Sequence, residues 1–196
     1  MKASGVLTHE DQQKLLRWAR LAIERAVEGG SEMEVARAEL SEGLLAPHGA
    51  FVTIKKQGDL RGCIGKMDFE HPVWENVLTA AVASALEDPR FSPLQPDELA
   101  EVRLEISVLE PPHQLARHEL FDAQRHGVIV EKGMHHALLL PKVAQEYGWG
   151  AEKTLETVCV KAGLAPTAWR DADARLQVFE AFDFGEPEDG AVSGKI

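Results

Sequence analysis

Cysteine and tyrosine are scarce in this chain, and long apolar runs are missing. The sequence of 196 residues contains two cysteines and one tyrosine. Cys63 and Cys159 stand far apart and form no CxxC pair, which excludes a disulfide framework and a cysteine-ligated zinc cluster. No apolar run approaches the ~20 residues that a transmembrane helix needs, and the first ten residues contain no apolar signal core. The composition therefore predicts a soluble protein of the reducing cytoplasm.

Basic residues are also few relative to acidic ones. The chain contains 21 lysines and arginines against 32 aspartates and glutamates, which gives a net charge of −11 at pH 7. Nucleic acids and anionic membranes are bound mainly through basic surfaces. The net charge therefore disfavours general binding to either of them, although a local basic patch would not be revealed by this count.

Sequence motifs for metal and nucleotide chemistry are missing as well. There is no HExxH, no Cys/His cluster, no GxGxxG, no Walker loop, no GxSxG and no CxxxCxxC of a radical iron–sulfur enzyme. Adjacent His135 and His136 would point to opposite faces of a strand. Glu70 and His71 offer a base for a nearby nucleophile, although a histidine near a helix start is more often a surface group. We therefore predict no metal site and name no cofactor.

What the sequence does contain is a series of clear helix and strand patterns. Thr8 and Asp11 resemble a capping box at the start of a helix from His9 to Glu28, whose apolar residues recur at helical spacing. Cys159 falls on the apolar stripe of a later helix and is predicted to be structural. The other patterns predict partly helical residues at 31–48, helices at 72–87, 141–147 and 151–162, strands at 102–109 and 176–184, and a hairpin of 127–131 with 137–140.

The length suits one domain, predicted over residues 8–184, with two lobes that share a sheet. Residues 185–196 form an acidic, glycine-rich tail that is predicted to be flexible. A hairpin followed by a helix occurs at 50–87 and again at 127–162. This echo raises an internal duplication as a hypothesis, although the residues themselves do not repeat.

One predicted hairpin contains the residues that are best suited to take part in a reaction. Its first strand, residues 51–54, is aromatic and β-branched, and Gly58 allows the positive φ of a tight turn. Its second strand is Leu60-Arg61-Gly62-Cys63-Ile64-Gly65, which we call the LRGCIG motif. A thiol, a guanidinium and two glycines therefore lie within six residues of each other.

Cys63 is the candidate nucleophile of the LRGCIG motif. Because side chains alternate along a strand, Arg61 is predicted to share the face of Cys63 and to stabilise its thiolate or an anionic substrate. Gly62 and Gly65 would leave main-chain amides open to a ligand, and Arg90, in a later loop, is a second candidate anion contact. In the alternative interpretation Cys63 is a small core residue, the glycines mark a bulge and Arg90 is only solvated.

The motif occurs together with other segments in a pattern that resembles the AMMECR-type domain family. The resemblance extends over most of the chain, from about Leu15 to Phe184. Lys66-Met67 departs from the family pattern, in which a small hydroxyl residue commonly follows the last glycine, and this puts in doubt any scheme that needs a hydroxyl there. The matching segments are the LRGCIG motif, Asp88-Pro89-Arg90-Phe91 with Pro93, Glu105-Ile106-Ser107-Val108-Leu109, Leu139-Leu140-Pro141 with Val143, Glu146 and Trp149, Cys159 with Lys161-Ala162-Gly163-Leu164, and Trp169.

The resemblance implies an α+β fold with a mainly antiparallel, barrel-like sheet wrapped by helices in two lobes. It also implies similarity to protein A of the AmmeMemoRadiSam system, whose other members are a Memo-like protein and a radical S-adenosylmethionine enzyme. Either would be a separate partner protein here. The family has no settled biochemical activity, and its hexapeptide has been regarded as the functional centre. The candidate binding residues that follow from this are Leu60, Gly62, Ile64, Gly65, Arg90 and Glu105.

Three functions are compatible with these observations. The first is an enzyme or enzyme subunit that uses Cys63 as a nucleophile or covalent carrier. The second is a non-catalytic module that binds a partner such as a radical enzyme or a Memo-like protein, with the LRGCIG motif as an architectural bend. The third, RNA binding or modification, is disfavoured by the net charge of −11.

Overall fold

The structure is a computed structural model that describes residues 7–187. The helices of this part are α1 (His9–Val27), α2 (Glu42–Leu45), α3 (Val73–Leu86), α4 (Pro141–Tyr147) and α5 (Ala151–Lys161). The strands are β1 (Gly49–Lys56), β2 (Asp59–Lys66), β3 (Val102–Leu109), β4 (His113–Gln114), β5 (His126–Lys132), β6 (His135–Leu139) and β7 (Arg175–Gly185). The chain divides into two compact units, whose described residues are 7–108 with 182–187, and 109–181.

The first unit combines a sheet with the two long helices. Its strands follow the hydrogen-bonded order β2-β1-β3, and β3 is bonded in turn to β7, which ends in this unit. α1 begins at a capping box, in which the hydroxyl of Thr8 accepts from the N–H of Asp11 and the carboxylate of Asp11 accepts from the N–H of Thr8 at 3.0 Å. The core that stabilises this unit by burying apolar surface includes Leu15, Ala19, Val52, Ile54, Val77, Ala81, Leu104 and Ile106.

The second unit contains β4 to β6, most of β7, and the helices α4 and α5. β5 pairs antiparallel with both β6 and β7, and β4 pairs antiparallel with β7. Gly133 (φ 59) lies in the turn between β5 and β6, and Gly148 (φ 63) ends α4, because both positions need the left-handed backbone that glycine favours. Its core includes Val128, Val130, Leu155, Val158, Cys159, Trp169 and Val178.

The predicted α+β class, the mainly antiparallel strand pairing and the two lobes are confirmed. β3 and α4 have the predicted bounds. In β3 the alternation of buried and exposed residues holds only for the first half, because Ser107 and Leu109 are buried as well. No sequence pattern predicts β4, because a strand of two residues is too short to show a period. Each unit contains a hairpin followed by a helix, and the internal duplication stays a hypothesis.

The ordered chain extends beyond the predicted start of the tail. β7 includes Gly185, and Glu186 forms an ion pair with Arg20 and accepts a hydrogen bond from the N–H of Leu104 at 2.9 Å. These bonds hold residues 185 and 186 against the first unit, and the flexible tail from residue 185 stays a prediction. The rest of the predicted tail, residues 188–196, lies outside the described residues.

Candidate functional site

The LRGCIG motif forms most of β2, which pairs antiparallel with β1. Thr53 lies opposite Cys63, but the register shifts between Ile54 and Lys55, so that Arg61 has no partner in β1. Such a shift marks a β-bulge or a similar irregularity, in which an extra residue disturbs the regular alternation of side chains. It breaks the alternation from which Arg61 and Cys63 were predicted to share a face.

Both glycines of the motif are explained by close packing. A Cβ atom added at Gly62 would lie 2.1 Å from the main-chain oxygen of Ser84 in α3, and one added at Gly65 would lie 2.0 Å from the ring of Phe51. No methyl group fits at such distances. Gly62 therefore lets α3 lie directly against β2, and Gly65 makes room for the aromatic ring across the strand pair. The predicted exposure of their amides to a ligand is not needed to account for them.

The hydroxyl of Ser84 is inserted between β1 and β2. The N–H of Ile64 donates to Ser84 Oγ at 2.8 Å, and Ser84 Oγ donates to the carbonyl of Val52 at 2.8 Å. Val52 and Ile64 lie opposite each other in the strand pair. Ser84 is 2% exposed, so its hydroxyl serves as a buried bridge. The amide of Ile64 is thereby occupied within the protein.

The main-chain groups of Cys63 are bonded on the outer side of β2. Its N–H donates to Asp88 Oδ2 at 2.8 Å, and its carbonyl accepts from Arg90 Nη2 at 3.2 Å. Arg90 also donates through Nε to Asp88 Oδ1 at 2.9 Å. These hydrogen bonds, first of all the one from Arg90, hold the pKa of the Asp88 carboxyl well below its usual range. The LRGCIG motif and the segment that begins at Asp88 therefore form one site.

The thiol of Cys63 is half-buried beside a hydroxyl group. Cys63 Sγ lies 3.3 Å from Thr53 Oγ1, and Thr53 itself is 4% exposed. Among residues 7–187, Thr53 makes the only hydrogen bond to this sulfur. The pKa of Arg90 is raised, chiefly by its hydrogen bond to Asp88, and attraction to Cys63 acts in the same direction. Arg90 is therefore the guanidinium that is bonded to Cys63, through the main-chain carbonyl.

Arg61 points to a different partner. Its Nε and Nη2 atoms donate to the two carboxylate oxygens of Glu98 at 3.0 and 2.8 Å, and its Nη1 donates to the carbonyl of Ser92 at 3.0 Å. Lys56 also donates to Glu98 at 3.2 Å. This bidentate pair, chiefly, lowers the pKa of Glu98 to about 2. Arg61 thus fastens the chain that follows α3 onto β2, and no described hydrogen bond joins it to Cys63.

The remaining candidate binding residues are spread along the sheet. Leu60 is 43% exposed at the start of β2, and Ile64 is half-buried. Glu105, on β3, forms an ion pair with Lys55 at 3.0 Å.

His71 is paired with Asp68, not with Glu70. His71 Nδ1 lies 2.7 Å from Asp68 Oδ2, and Lys66 pairs with the same carboxylate at 3.1 Å. The pKa of Asp68 lies well below its usual range, chiefly because the N–H of Glu70 donates to it. His71 is therefore oriented by Asp68. The other thiol, Cys159, is 0% exposed and belongs to the core of the second unit, as a structural role requires.

Sequence reasoning missed Thr53, Ser84, Asp88 and Glu98 as parts of the site. Two weak signals were available. Asp88 follows an apolar helix directly, where a buried carboxylate needs partners. Arg61 is a cation in a predicted half-buried strand, which requires an anion nearby. Neither signal names the partner, because the partners lie 25 and 37 residues away along the chain.

Residues 7–187 contain no group of three or more His, Cys, Asp or Glu side chains placed to hold a metal ion. They also contain no helix that is long and apolar enough to cross a membrane.

Fold and site together define an α+β protein in which a glycine-containing hairpin carries a half-buried thiol and is bonded to the chain that follows the next helix. The chain belongs to the AMMECR1 family, whose family model matches residues 16–184.

Similar proteins match nearly the whole chain. A protein of Methanothermobacter thermautotrophicus is 38% identical over 186 residues, which cover 92% of this chain and 96% of that one. Protein MK0488 of Methanopyrus kandleri is 40% identical over 191 residues, covering 93% and 91%. The crystal structure of uncharacterized protein PH0010 from Pyrococcus horikoshii is similar with a TM-score of 0.87 and 38% identity, covering 92% of this chain and 94% of that one. This similarity confirms the fold.

Proposed function

We propose that this protein is a cytoplasmic enzyme or enzyme subunit that works through the thiol of Cys63, as a nucleophile or covalent carrier. The observation that supports the proposal is the position of this thiol. Its sulfur is half-buried beside Thr53, while both main-chain groups of Cys63 are fixed by Asp88 and Arg90. A half-buried thiol on a main chain that is fixed by a carboxylate and a guanidinium is well placed to react.

The roles of the two arginines differ in this proposal from those that the sequence suggested. Arg90 takes the place of Arg61 as the cation of the site, because its guanidinium donates to the carbonyl of Cys63. Arg61 does not contact the thiol in this proposal. It binds the carbonyl of Ser92 and the carboxylate of Glu98 and so holds the chain after α3 against β2. Gly62 serves the site by allowing the close approach of α3.

The test is the rate at which iodoacetamide alkylates Cys63 in the native protein, with Cys159 replaced by alanine. We expect Cys63 to react with this reagent in the folded state. Thr53→Ala is the variant that removes the only described hydrogen bond of the sulfur, and we expect it to change the rate. A thiol that reacts only when the protein unfolds would contradict the proposal.

A second candidate function is a non-catalytic module that binds other proteins. It is favoured by the main-chain bonds of Cys63, since they also suit a purely architectural bend that presents a surface. The partners proposed from the family resemblance are a Memo-like protein and a radical S-adenosylmethionine enzyme. The discriminating experiment is co-purification with each partner, together with the biological effect of Cys63→Ala. A variant that binds its partner normally but loses the biological role favours the enzyme, and one that retains the role favours the module.

RNA binding is the least supported function. The net charge of −11 opposes the counterion release that drives such binding. Filter binding to transfer RNA at moderate salt is the direct test, and saturable binding that weakens as salt is raised would reverse this ranking.

A further inference from the structure

A short exposed segment lies between two buried residues at the outer side of β2. Asp88 is 5% exposed and Leu94 is 2% exposed. Residues 89–93, which we call the strap, are exposed apart from half-buried Phe91. A segment with so little buried apolar surface is expected to open locally at a lower free energy than the core does.

The strap is joined to β2 by arginine side chains. Arg90 in the strap donates to the carbonyl of Cys63 at 3.2 Å, and Arg61 in β2 donates to the carbonyl of Ser92 at 3.0 Å. Within the strap, the N–H of Phe91 donates to the carbonyl of Asp88 at 3.1 Å. No strand ladder between the strap and β2 is described. The strap can therefore detach without breaking the sheet.

Glu98 controls the second of these attachments. It binds the Nε and Nη2 atoms of Arg61 and so leaves Nη1 directed at Ser92. The side chains of Arg61 and Glu98 are 14% and 15% exposed, so solvent screens the pair only in part. Glu98 is itself fixed by the N–H of Gln95 at 3.1 Å. Glu98 thus acts on the strap through Arg61, as a positioning residue.

We propose that the strap is a releasable cover at the outer side of Cys63, and that the ion pair of Arg61 with Glu98 is its lock. When the strap lifts, the carbonyl of Cys63 loses Arg90, and the outer side of β2 becomes accessible at the LRGCIG motif. Asp88 loses the guanidinium of Arg90 in the same step, which adds to the cost of opening, and keeps the N–H of Cys63 as a donor. Leu94 remains in place as the other end of the strap. The inference rests on the proposed function only because it takes the thiol of Cys63 as the reactive group.

Limited proteolysis tests the lock directly. Trypsin cleaves after Arg90 only when the strap has left β2, and with rapid reclosing the cleavage rate follows the open population. We expect Glu98→Gln to raise this rate about tenfold, because breaking a partly buried ion pair is costly. Glu101→Gln is the matched control. It removes an exposed partner of Lys56, at 3.1 Å, and leaves the Arg61 pair intact, so we expect a change of less than about twofold.

A second readout links the strap to the thiol. In the Cys159→Ala background, Cys63 is alkylated by a small reagent, iodoacetamide, and by a bulky maleimide. Both reagents depend on the thiolate in the same way, so their rate ratio reports access alone. We expect Glu98→Gln to shift the ratio at least about threefold towards the bulky reagent, in proportion to the open population, and Glu101→Gln to leave it unchanged.

The outcomes separate this inference from the proposed function. If Glu98→Gln is cleaved after Arg90 no faster than Glu101→Gln, with the free energy of unfolding of both variants measured, the strap is a fixed wall and the inference is wrong. If cleavage accelerates while Cys63 reacts with neither reagent, the strap is confirmed and the proposed function fails.

Discussion

The main-chain N–H of Cys63 donates a hydrogen bond of 2.8 Å to Asp88, a carboxylate that is only 5% exposed. A buried carboxylate is stable only when it is hydrogen-bonded and paired. Asp88 meets this need with one neutral donor from the LRGCIG motif and the guanidinium of Arg90. The same bonds that keep Asp88 charged therefore fix the residue that carries the candidate nucleophile, so stability and function depend on one contact.

The first prediction concerns the acid sensitivity that Asp88 introduces. Its pKa lies below the unfolded value of about 3.9, chiefly because Arg90 donates to it. Such a group stabilises the folded state above the unfolded pKa, and the contribution is lost as pH falls towards the folded pKa. We expect Asp88→Asn to lower the free energy of unfolding at neutral pH by about 2 kcal/mol. The difference from wild type should shrink as pH falls below about 4.

Urea unfolding of both proteins over a series of pH values measures this difference. Asp97→Asn is the matched control, because Asp97 is exposed in the same part of the chain and should change stability by less than about 0.5 kcal/mol. A difference between wild type and Asp88→Asn that stays constant down to strongly acid pH would contradict the assignment.

Patterns along the chain were sufficient to predict most helices and strands. Thr8 and Asp11 form their capping box, and β3 alternates at first as its residues predict. These features depend on neighbours within a few positions. The direction of the Arg61 side chain does not depend on such neighbours alone. It also depends on the register between two strands, because the register decides where the irregularity falls. The alternation of residues along a single strand cannot reveal such a shift in register.

The composition of the site could be predicted only in part for the same reason. Cys63 and Arg90 were both singled out, and the structure joins them. Glu98 was not, since its contact with Arg61 requires the chain to return to β2 after a helix and a loop. Ser84 lies in an alanine-rich helix, where nothing in the local pattern indicates that its hydroxyl bridges two strands. These partners depend on tertiary packing.

The second prediction separates the two glycines of the motif. At Gly62 an added methyl group meets the main-chain oxygen of Ser84, and at Gly65 it meets the ring of Phe51. The main chain of α3 at Ser84 cannot move aside without disturbing the helix, whereas a side chain can be shortened. We expect Gly62→Ala to lower the free energy of unfolding by about 3 kcal/mol or more, and Gly65→Ala by about 1–3 kcal/mol.

A double-mutant cycle checks the difference. Phe51→Ala should remove most of the added cost of Gly65→Ala, with a coupling energy of at least about 1 kcal/mol, and should leave the cost of Gly62→Ala unchanged. Equal behaviour of the two glycines in this cycle would show that helix contact and ring contact are not distinct constraints.

The third prediction uses Cys159 as an internal reference for the reactivity of Cys63. Cys159 is 0% exposed in α5, and burial raises the pKa of its thiol. Alkylation of this sulfur therefore requires the second unit to open. We expect iodoacetamide to modify Cys63 in the native protein. Modification of Cys159 should begin only at urea concentrations that unfold the chain, and mass spectrometry distinguishes the two sites.

The size of the substitution effect at Cys159 follows from the same burial. Cys159→Ser places a hydroxyl in an apolar core and should lower the free energy of unfolding by about 2 kcal/mol. Cys159→Ala removes one atom and should cost about 1 kcal/mol, which makes it the suitable background for work on Cys63. If Cys159 were alkylated as fast as Cys63 under native conditions, the second unit would open far more readily than its core implies. Thiol reactivity could then not be used to distinguish a functional cysteine from a structural one.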